Sequence, residues 1–282
     1  MNIYERFAYF YAKGPYLQFS ERVAEVLPTV LERFDAQPRT ILDLACGEGT
    51  FAVAMAKRGF QVTGVDQSPQ MLQFARERAE RENVKVEFLL QDMRSLPFED
   101  RFDLVTCWFD SLNYLLELED LKKTFAGACR TLKKTGLFIF DMNTIYGLAV
   151  NWQRLSCYVQ QDTPWLFEIH RSSYDFEKNV ATLRITGFMK EGDRWTRMDE
   201  EHKERGYILE DISQCLKAAG FQELACWGNL MEMSEPKPDS GRVWFAVQKL
   251  AEISCVSIVL QDHQRESMTW RANQTSLRFF IS

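Results

Sequence analysis

The sequence has few of the features that mark a secreted, metal-binding, membrane-spanning or nucleic-acid-binding chain. Its seven cysteines, at 46, 107, 129, 157, 215, 226 and 255, form no C-x-x-C pair and no zinc spacing, and their number is odd. A disulfide framework is therefore not expected, and the thiols read as buried groups of a reducing compartment. The opening Met1-Asn2-Ile3-Tyr4-Glu5-Arg6 has no apolar signal core, and no uncharged apolar stretch approaches the roughly 20 residues of a membrane span. Cationic residues are outnumbered, 34 Lys and Arg against 40 Asp and Glu, for a formal net charge of -6. The basic excess that supplies most nucleic-acid affinity is thus missing. The expectation is a cytoplasmic protein, monomer or homodimer, that binds neither membrane nor nucleic acid.

What is present is enough apolar material, 46% of 282 residues, for one sizeable core and an insertion. The clearest local pattern is Thr40-Ile41-Leu42-Asp43-Leu44-Ala45-Cys46-Gly47-Glu48-Gly49-Thr50 followed by Phe51-Ala52-Val53-Ala54-Met55-Ala56. It reads as a buried strand, a glycine turn and the start of a helix, which brings a ligand against backbone amides. Two more short strands end in acids, Gln61 to Asp66 and Val84 to Asp92. Asp43, Asp66 and Asp92 thus recur at the carboxyl ends of successive strands, where open α/β sheets bind nucleosides.

Gly47-x-Gly49-x-x-Ala52 with Asp66 downstream also fits a dinucleotide fingerprint. Charge separates the two readings. A diphosphate at this turn would sit beside Asp43 and Glu48, at a cost of several kcal/mol in a partly dry site. S-adenosylmethionine has no phosphate, and its sulfonium and ammonium groups favour neighbouring carboxylates.

These segments resemble the class I S-adenosylmethionine-dependent methyltransferases. Leu42 to Thr50 is similar to their first motif, with Ala45 replacing the usual first glycine, and Val65-Asp66-Gln67-Ser68-Pro69-Gln70-Met71-Leu72 to their second. Gln91-Asp92-Met93 is similar to the adenine-contacting third, and Phe102 to Asp110 and Leu132 to Asp141 to the fourth and fifth. Asp110-Ser111-Leu112-Asn113-Tyr114, Asp141-Met142-Asn143-Thr144 and the charged return Asp199 to Tyr207 further resemble small-molecule members that include amino-sugar N,N-dimethyltransferases.

The resemblance implies a doubly wound, mostly parallel seven-stranded sheet of Rossmann-like methyltransferase fold. It also implies a cofactor site of Tyr11, Asp43, Ala45, Gly47, Gly49, Asp66, Gln67, Met71, Gln91, Asp92, Met93 and Phe109. The resemblance further implies a lid over the cofactor at Tyr4, Tyr11 and Tyr16, with the phenol of at least one of the three on the methionine carboxylate.

Helices are expected on either side of Gly14-Pro15 within Tyr4 to Phe34, from Phe51 to a stop at Gly59, and after the Ser68-Pro69 cap. Further helices are expected over Asp120 to Leu132 and Glu210 to Ala219, the latter capped by Gly220. Between about 145 and 205 the alternation breaks into period-two runs, Trp165 to His170, Ala181 to Met189 and Trp195 to Met198, around turns at Glu177-Lys178-Asn179 and Glu191-Gly192-Asp193. These predict a small antiparallel sheet inserted as a lid, which chooses the substrate. The core is thus expected over 1–145 and 206–250, the insertion over 146–205 and an extension over 251–282. Two final strands, Phe221 to Trp227 and Arg242 to Gln248, must pair antiparallel.

For chemistry, Asp110, Asn113, Asp141 and Arg205 are candidate acceptor ligands, and His202, Asn143 and Tyr207 candidate catalytic groups, with Arg205 and Tyr207 placed on the face of His202. His170 reads as structural. No metal is expected, since methyl transfer from a sulfonium needs alignment and a neutral nucleophile. The small-molecule acceptor is read as a nitrogen ahead of an oxygen. The alternatives are a catalytically silent S-adenosylmethionine-binding module and a nicotinamide oxidoreductase.

Overall fold

The structure, a computed structural model, describes residues 3–251. Helices α1 (Phe7–Lys13) and α2 (Leu17–Arg33) lead into β1 (Thr40–Leu44), α3 (Thr50–Lys57), β2 (Gln61–Asp66), α4 (Pro69–Arg81), β3 (Glu87–Leu90), β4 (Phe102–Cys107), α5 (Leu118–Thr131) and β5 (Leu132–Asn143). An insertion follows with β6 (Cys157–Asp162), β7 (Leu166–Asp175), β8 (Val180–Glu191) and β9 (Arg194–Arg205). The chain then closes on α6 (Leu209–Ala218), β10 (Phe221–Trp227) and β11 (Arg242–Lys249).

The core sheet has the order β10-β11-β5-β4-β1-β2-β3, with β4 at its centre. Its pairs from β3 to β5 are parallel, and β11 enters antiparallel between β10 and β5. Side chains alternate across this sheet. Leu42, Leu44, Val105, Phe138 and Phe140 pack with Phe125 of α5 and Leu216 of α6. Ile41, Leu104 and Ile139 pack on the other face with Val23 and Leu27 of α2, Phe51 of α3 and Leu72 and Ala75 of α4. Buried side chains on both faces explain why these strands read as nearly continuous apolar runs.

Local chemistry sets the boundaries. Gly14 ends α1, and Gly59, at φ +91°, follows the end of α3. The Ser68 hydroxyl accepts from Met71 N at 3.2 Å with Pro69 in the first turn of α4. Helices α5 and α6 each begin and end within two residues of expectation.

The insertion is a four-stranded antiparallel sheet, β6-β7-β8-β9, one strand more than the sequence pattern indicates. Strand β6 carries no sequence signal because Cys157-Tyr158-Val159-Gln160-Gln161-Asp162 is largely polar, has no fully buried residue and lacks an apolar alternation. Strand β9 is longer than expected and takes in the charged return to Arg205. Cys157 also corrects the reading of buried thiols: it is exposed, while Cys46, Cys107, Cys129 and Cys215 are buried and Cys226 is half-buried. The apolar run Ile253 to Leu260 and the polar tail to Ser282 lie outside the described residues.

Candidate functional site

The β1 to α3 turn is built around three left-handed residues, Ala45 at φ +52°, Gly47 at +55° and Gly49 at +82°. Ala45 keeps the backbone angle that a glycine would take without strain. Gly49 is required for a second reason: a Cβ there would lie 2.9 Å from the Ala75 Cβ of α4. The turn opens a cavity with about 890 Å³ of empty volume, part of it open to solvent, at the carboxyl ends of β1, β2 and β4.

Of the expected cofactor residues, Tyr11, Asp43, Ala45, Gly47, Asp66, Gln67, Met71, Gln91, Met93 and Phe109 line this cleft. Gly49 does not; it is the N-cap of α3 and acts through packing. Asp92 does not either. Its carboxylate is half-buried and taken up by Arg94, at 2.6 Å, so its neighbours Gln91 and Met93 form that wall instead.

The cleft is acidic, and no Lys or Arg is among the described residues that line it. Asp66 accepts from Gly47 N at 2.9 Å and Ser68 N at 2.8 Å, which leaves carboxylate lone pairs for a ligand hydroxyl. Asp43 is 2% exposed and accepts from the Thr106 hydroxyl at 2.8 Å. Burial pushes its carboxyl up to about 8, with Asp66 and Glu48 adding to the rise and Thr106 opposing it. Glu48 departs from the charge argument made on the sequence, because Arg78 pairs with it at 2.6 Å and offsets its charge. Among the described residues Asp43 and Asp66 have no ion-pair partner, so the cleft still suits a cation and disfavours a diphosphate. The Trp108 indole N–H, buried on a residue of this wall, has no hydrogen-bond partner among the described residues.

Comparison with known proteins agrees with this geometry. A methyltransferase domain family matches residues 41–136. A Geobacillus protein (strain WCH70, GWCH70_2453), named only as a methyltransferase, is 34% identical over 258 residues, covering 87% of this chain and 99% of its own. The chain belongs to the S-adenosylmethionine-dependent methyltransferases. An S-adenosylmethionine-dependent methyltransferase from Clostridium acetobutylicum superposes with a TM-score of 0.77 at 28% identity, covering 89% of this chain and all of that one. An S-adenosylmethionine-bound amino pentose methyltransferase from Micromonospora echinaspora, at 18% identity and a TM-score of 0.63 over 88% of this chain and 97% of its own, shares the fold. Membership overturns the nicotinamide alternative.

The methyltransferase has a second cavity, with about 1610 Å³ of empty volume, between the core and the inserted sheet. Tyr4, Tyr11, Phe109 and Tyr114 line both cavities and so form the wall between them. Tyr4 and Tyr114 share a hydroxyl contact of 3.1 Å, and the Tyr114 hydroxyl lies 3.0 Å from His202 Nδ1. The outer chamber is lined by Asp110, His202, Glu204 and Arg242, and farther out by Tyr16, Tyr158 and His170.

The sequence-predicted acceptor and catalytic residues divide here into two groups. Asp110 and His202 line the chamber. Asp141, Asn143, Asn113, Arg205 and Tyr207 do not, and each has a structural task. Asp141 is fully buried and accepts from Phe109 N at 2.7 Å and Asp110 N at 3.0 Å, holding two consecutive left-handed residues at φ +58° and +54°. It also pairs with Arg242. Burial raises its carboxyl to about 6 against the pull of that guanidinium. Asn143 donates one amide nitrogen to both Asp110 and Glu204, the latter at 2.9 Å. Asn113 ties Asn143 O to Arg205 O, at 3.0 and 2.8 Å. Arg205 donates to Leu116 O at 2.8 Å, and the Tyr207 hydroxyl to Leu115 O.

Nor does Arg205 share the face of His202, and Tyr207 lies beyond the end of β9. Strand β9 buries Met198, Glu200, His202 and Glu204, and Arg205, three residues from His202, falls on the opposite side. Strict period two from Met198 would have found both glutamates. Arg242 carries no local signal: it reaches the site because β11 pairs it with Asn143, a hundred residues away in sequence. His170, read from the sequence as structural, is held by Tyr158 at 3.1 Å, by Tyr16 at 3.2 Å and by Glu168, and it also lines the chamber.

Proposed function

We propose that this methyltransferase methylates the nitrogen of a small amine held in the outer chamber. The observation that carries this reading is the Asp110–Asn143–Glu204 cluster, two carboxylates sharing one amide nitrogen on a chamber wall across from the cofactor cleft. Burial and the charge of Asp110 raise the Glu204 carboxyl well above its ordinary range. Arg242 pairs with Asp110 at 3.1 Å and with Asp141, so with Glu204 one guanidinium serves three carboxylates, and an ammonium group adds the positive charge that the cluster lacks.

The cleft fits S-adenosylmethionine. In this reading Asp66 takes the ribose hydroxyls, Met71, Gln91 and Met93 the adenine, and Asp43 the cationic end, all of them residues that line the cleft. The unpartnered Trp108 N–H and the Tyr11 hydroxyl are donors for the carboxylate. Bound there, the cofactor supplies a methyl group on a sulfonium, already activated for displacement by a lone pair. The chain's own task is to present that lone pair unprotonated to the sulfonium methyl at the aromatic wall and to take up the proton that the amine sheds. Asp110, Glu204 and the His202 ring line the chamber that would receive it.

The test is release of S-adenosylhomocysteine from S-adenosylmethionine with matched panels of amines, hydroxyl compounds and carboxylates. Turnover confined to amines, and reduced at least tenfold by Glu204→Gln, supports the reading. Turnover confined to hydroxyl compounds refutes it. Cofactor binding with no turnover on any panel would favour the silent-module alternative.

A further inference from the structure

The cofactor cleft is closed on one side by residues from the start of the chain, which are fixed by a group in neither cavity. Glu200 of β9 accepts three backbone N–H groups from that segment: Tyr4 at 2.9 Å through one oxygen, and Arg6 and Phe7, both at 2.7 Å, through the other. The Arg6 and Phe7 amides stand at the start of α1, where intrahelical partners are lacking and no local side chain caps the helix. Charge-assisted bonds of this length are the stronger kind. Burial alone would push the Glu200 carboxyl up, but His202 and the Phe7 and Arg6 amides hold it below its ordinary value. His202 Nε2 lies 3.3 Å away but is poorly aligned and makes no hydrogen bond.

The peptide that Glu200 grips on one side is gripped on the other by the core. Tyr4 O accepts from the Ser68 hydroxyl at 2.9 Å, and Ser68 N donates to Asp66 at 2.8 Å. A continuous hydrogen-bonded path therefore runs from the inserted sheet through Tyr4 to the acid expected to read the ribose. Tyr4 also sits at φ +59°, a strained angle for a residue with a side chain, so the surrounding contacts must hold it there. Its ring meets the edge of His202 at 4.9 Å between centroids.

We propose that Glu200 is a positioning residue for the cofactor: by clasping Tyr4, Arg6 and Phe7 it sets the wall of the S-adenosylmethionine cleft from the inserted sheet, so that donor affinity depends on a side chain that touches no donor. The reading rests on the cofactor alone and not on the nature of the acceptor.

The full-length protein is titrated with S-adenosylhomocysteine by calorimetry, well below its melting temperature. Glu200→Gln, which keeps the size but removes the charge and one acceptor oxygen, is expected to weaken binding about tenfold. Glu201→Gln, on the exposed face and paired with Arg184 and Lys203, is expected to leave it unchanged. A Tyr4→Ala variant is expected to weaken binding as well, and the double variant to be no worse than Tyr4→Ala alone, because both act through one segment. Hydrogen exchange supplies the readout that a merely stabilising role would not move: with ligand bound, the amides of Tyr4, Arg6 and Phe7 lose protection in Glu200→Gln while those of β1 keep theirs. Should Glu200→Gln not fold, Glu200→Asp, one methylene shorter with its charge retained, must show the same order of effects. Affinity of the variant within twofold of the wild type, or additivity with Tyr4→Ala, overturns the proposal.

Discussion

Asp43 is held in the fold against its own preference, and replacing it tests whether the cleft waits for a cation. In the free protein burial raises its carboxyl from 3.8 to about 8. At pH 7 the unfolded chain has therefore released a proton that the folded chain keeps. The gap from 3.8 to 7 is about 3 pH units, and at about 1.4 kcal/mol per unit it sets a ceiling of about 4 kcal/mol that ionisable Asp43 takes from stability.

Asparagine has no such proton to release, and its amide oxygen can still accept from Thr106. With relaxation around the site, Asp43→Asn is expected to stabilise the ligand-free protein by roughly 2 kcal/mol at pH 7, a rise of roughly 4–8 °C in melting temperature. The sign fixes the pH window. The gain is absent near pH 4, grows as pH rises through the ordinary carboxylate range, and levels off above about 8. Binding of S-adenosylmethionine goes the other way. Wild-type affinity increases toward pH 8 as Asp43 ionises, with proton uptake by buffer below that pH, and the variant loses both the affinity and its slope. Scanning calorimetry from pH 4 to 9, paired with titrations in two buffers of different ionisation enthalpy, measures both. A melting difference independent of pH, or a less stable variant at pH 8, would refute the reasoning.

Other substitutions follow from the geometry. Gly49→Ala, at φ +82° with its new Cβ 2.9 Å from that of Ala75, should cost roughly 2–3 kcal/mol in urea unfolding. Asp141→Asn removes one of the two carboxylate partners of Arg242, the other being Asp110 at 3.1 Å, and one support of the Phe109–Asp110 turn, and should cost about 3 kcal/mol by the same assay. Trp108→Phe keeps an aromatic ring against Phe51, 5.4 Å away between centroids, but deletes the unpartnered N–H. Its melting temperature should stay close to that of the wild type while affinity for S-adenosylhomocysteine falls about tenfold.

The parts of the site that the sequence makes legible are those set by neighbours in the chain. The strand, the glycine turn and the following helix are fixed within Thr40 to Lys57, so Asp43, Ala45 and Gly47 could be placed in the cleft from sequence spacing. Asp92 shows the limit: its strand-end position is correct, but a side chain two residues on, Arg94, claims its carboxylate. The acceptor side is assembled from segments far apart in sequence. Asp141 and Asn143 do sit at a strand end beside the chamber, yet register with β11 turns them to Arg242, Asp110 and Glu204 in place of the open space. Period two along β9 would have paired His202 with Glu200 and Glu204, and the glycine after Arg205 obscured that count.

The wall between the two cavities contains Tyr4 and Tyr11 from the chain's start and Phe109 and Tyr114 from turns after β4, with no member from β6 to β9. On the proposed reading, the methyl donor is walled off by residues outside the inserted sheet, whereas the acceptor chamber takes His202 and Glu204 from that sheet and Asp110 and Arg242 from the core. Grafting a different four-stranded insertion between Asn143 and Gly206 would redraw the list of compounds admitted while the aromatic barrier, and with it protection of the sulfonium from water, stayed in place, provided that the graft retained a carboxylate at the position of Glu200.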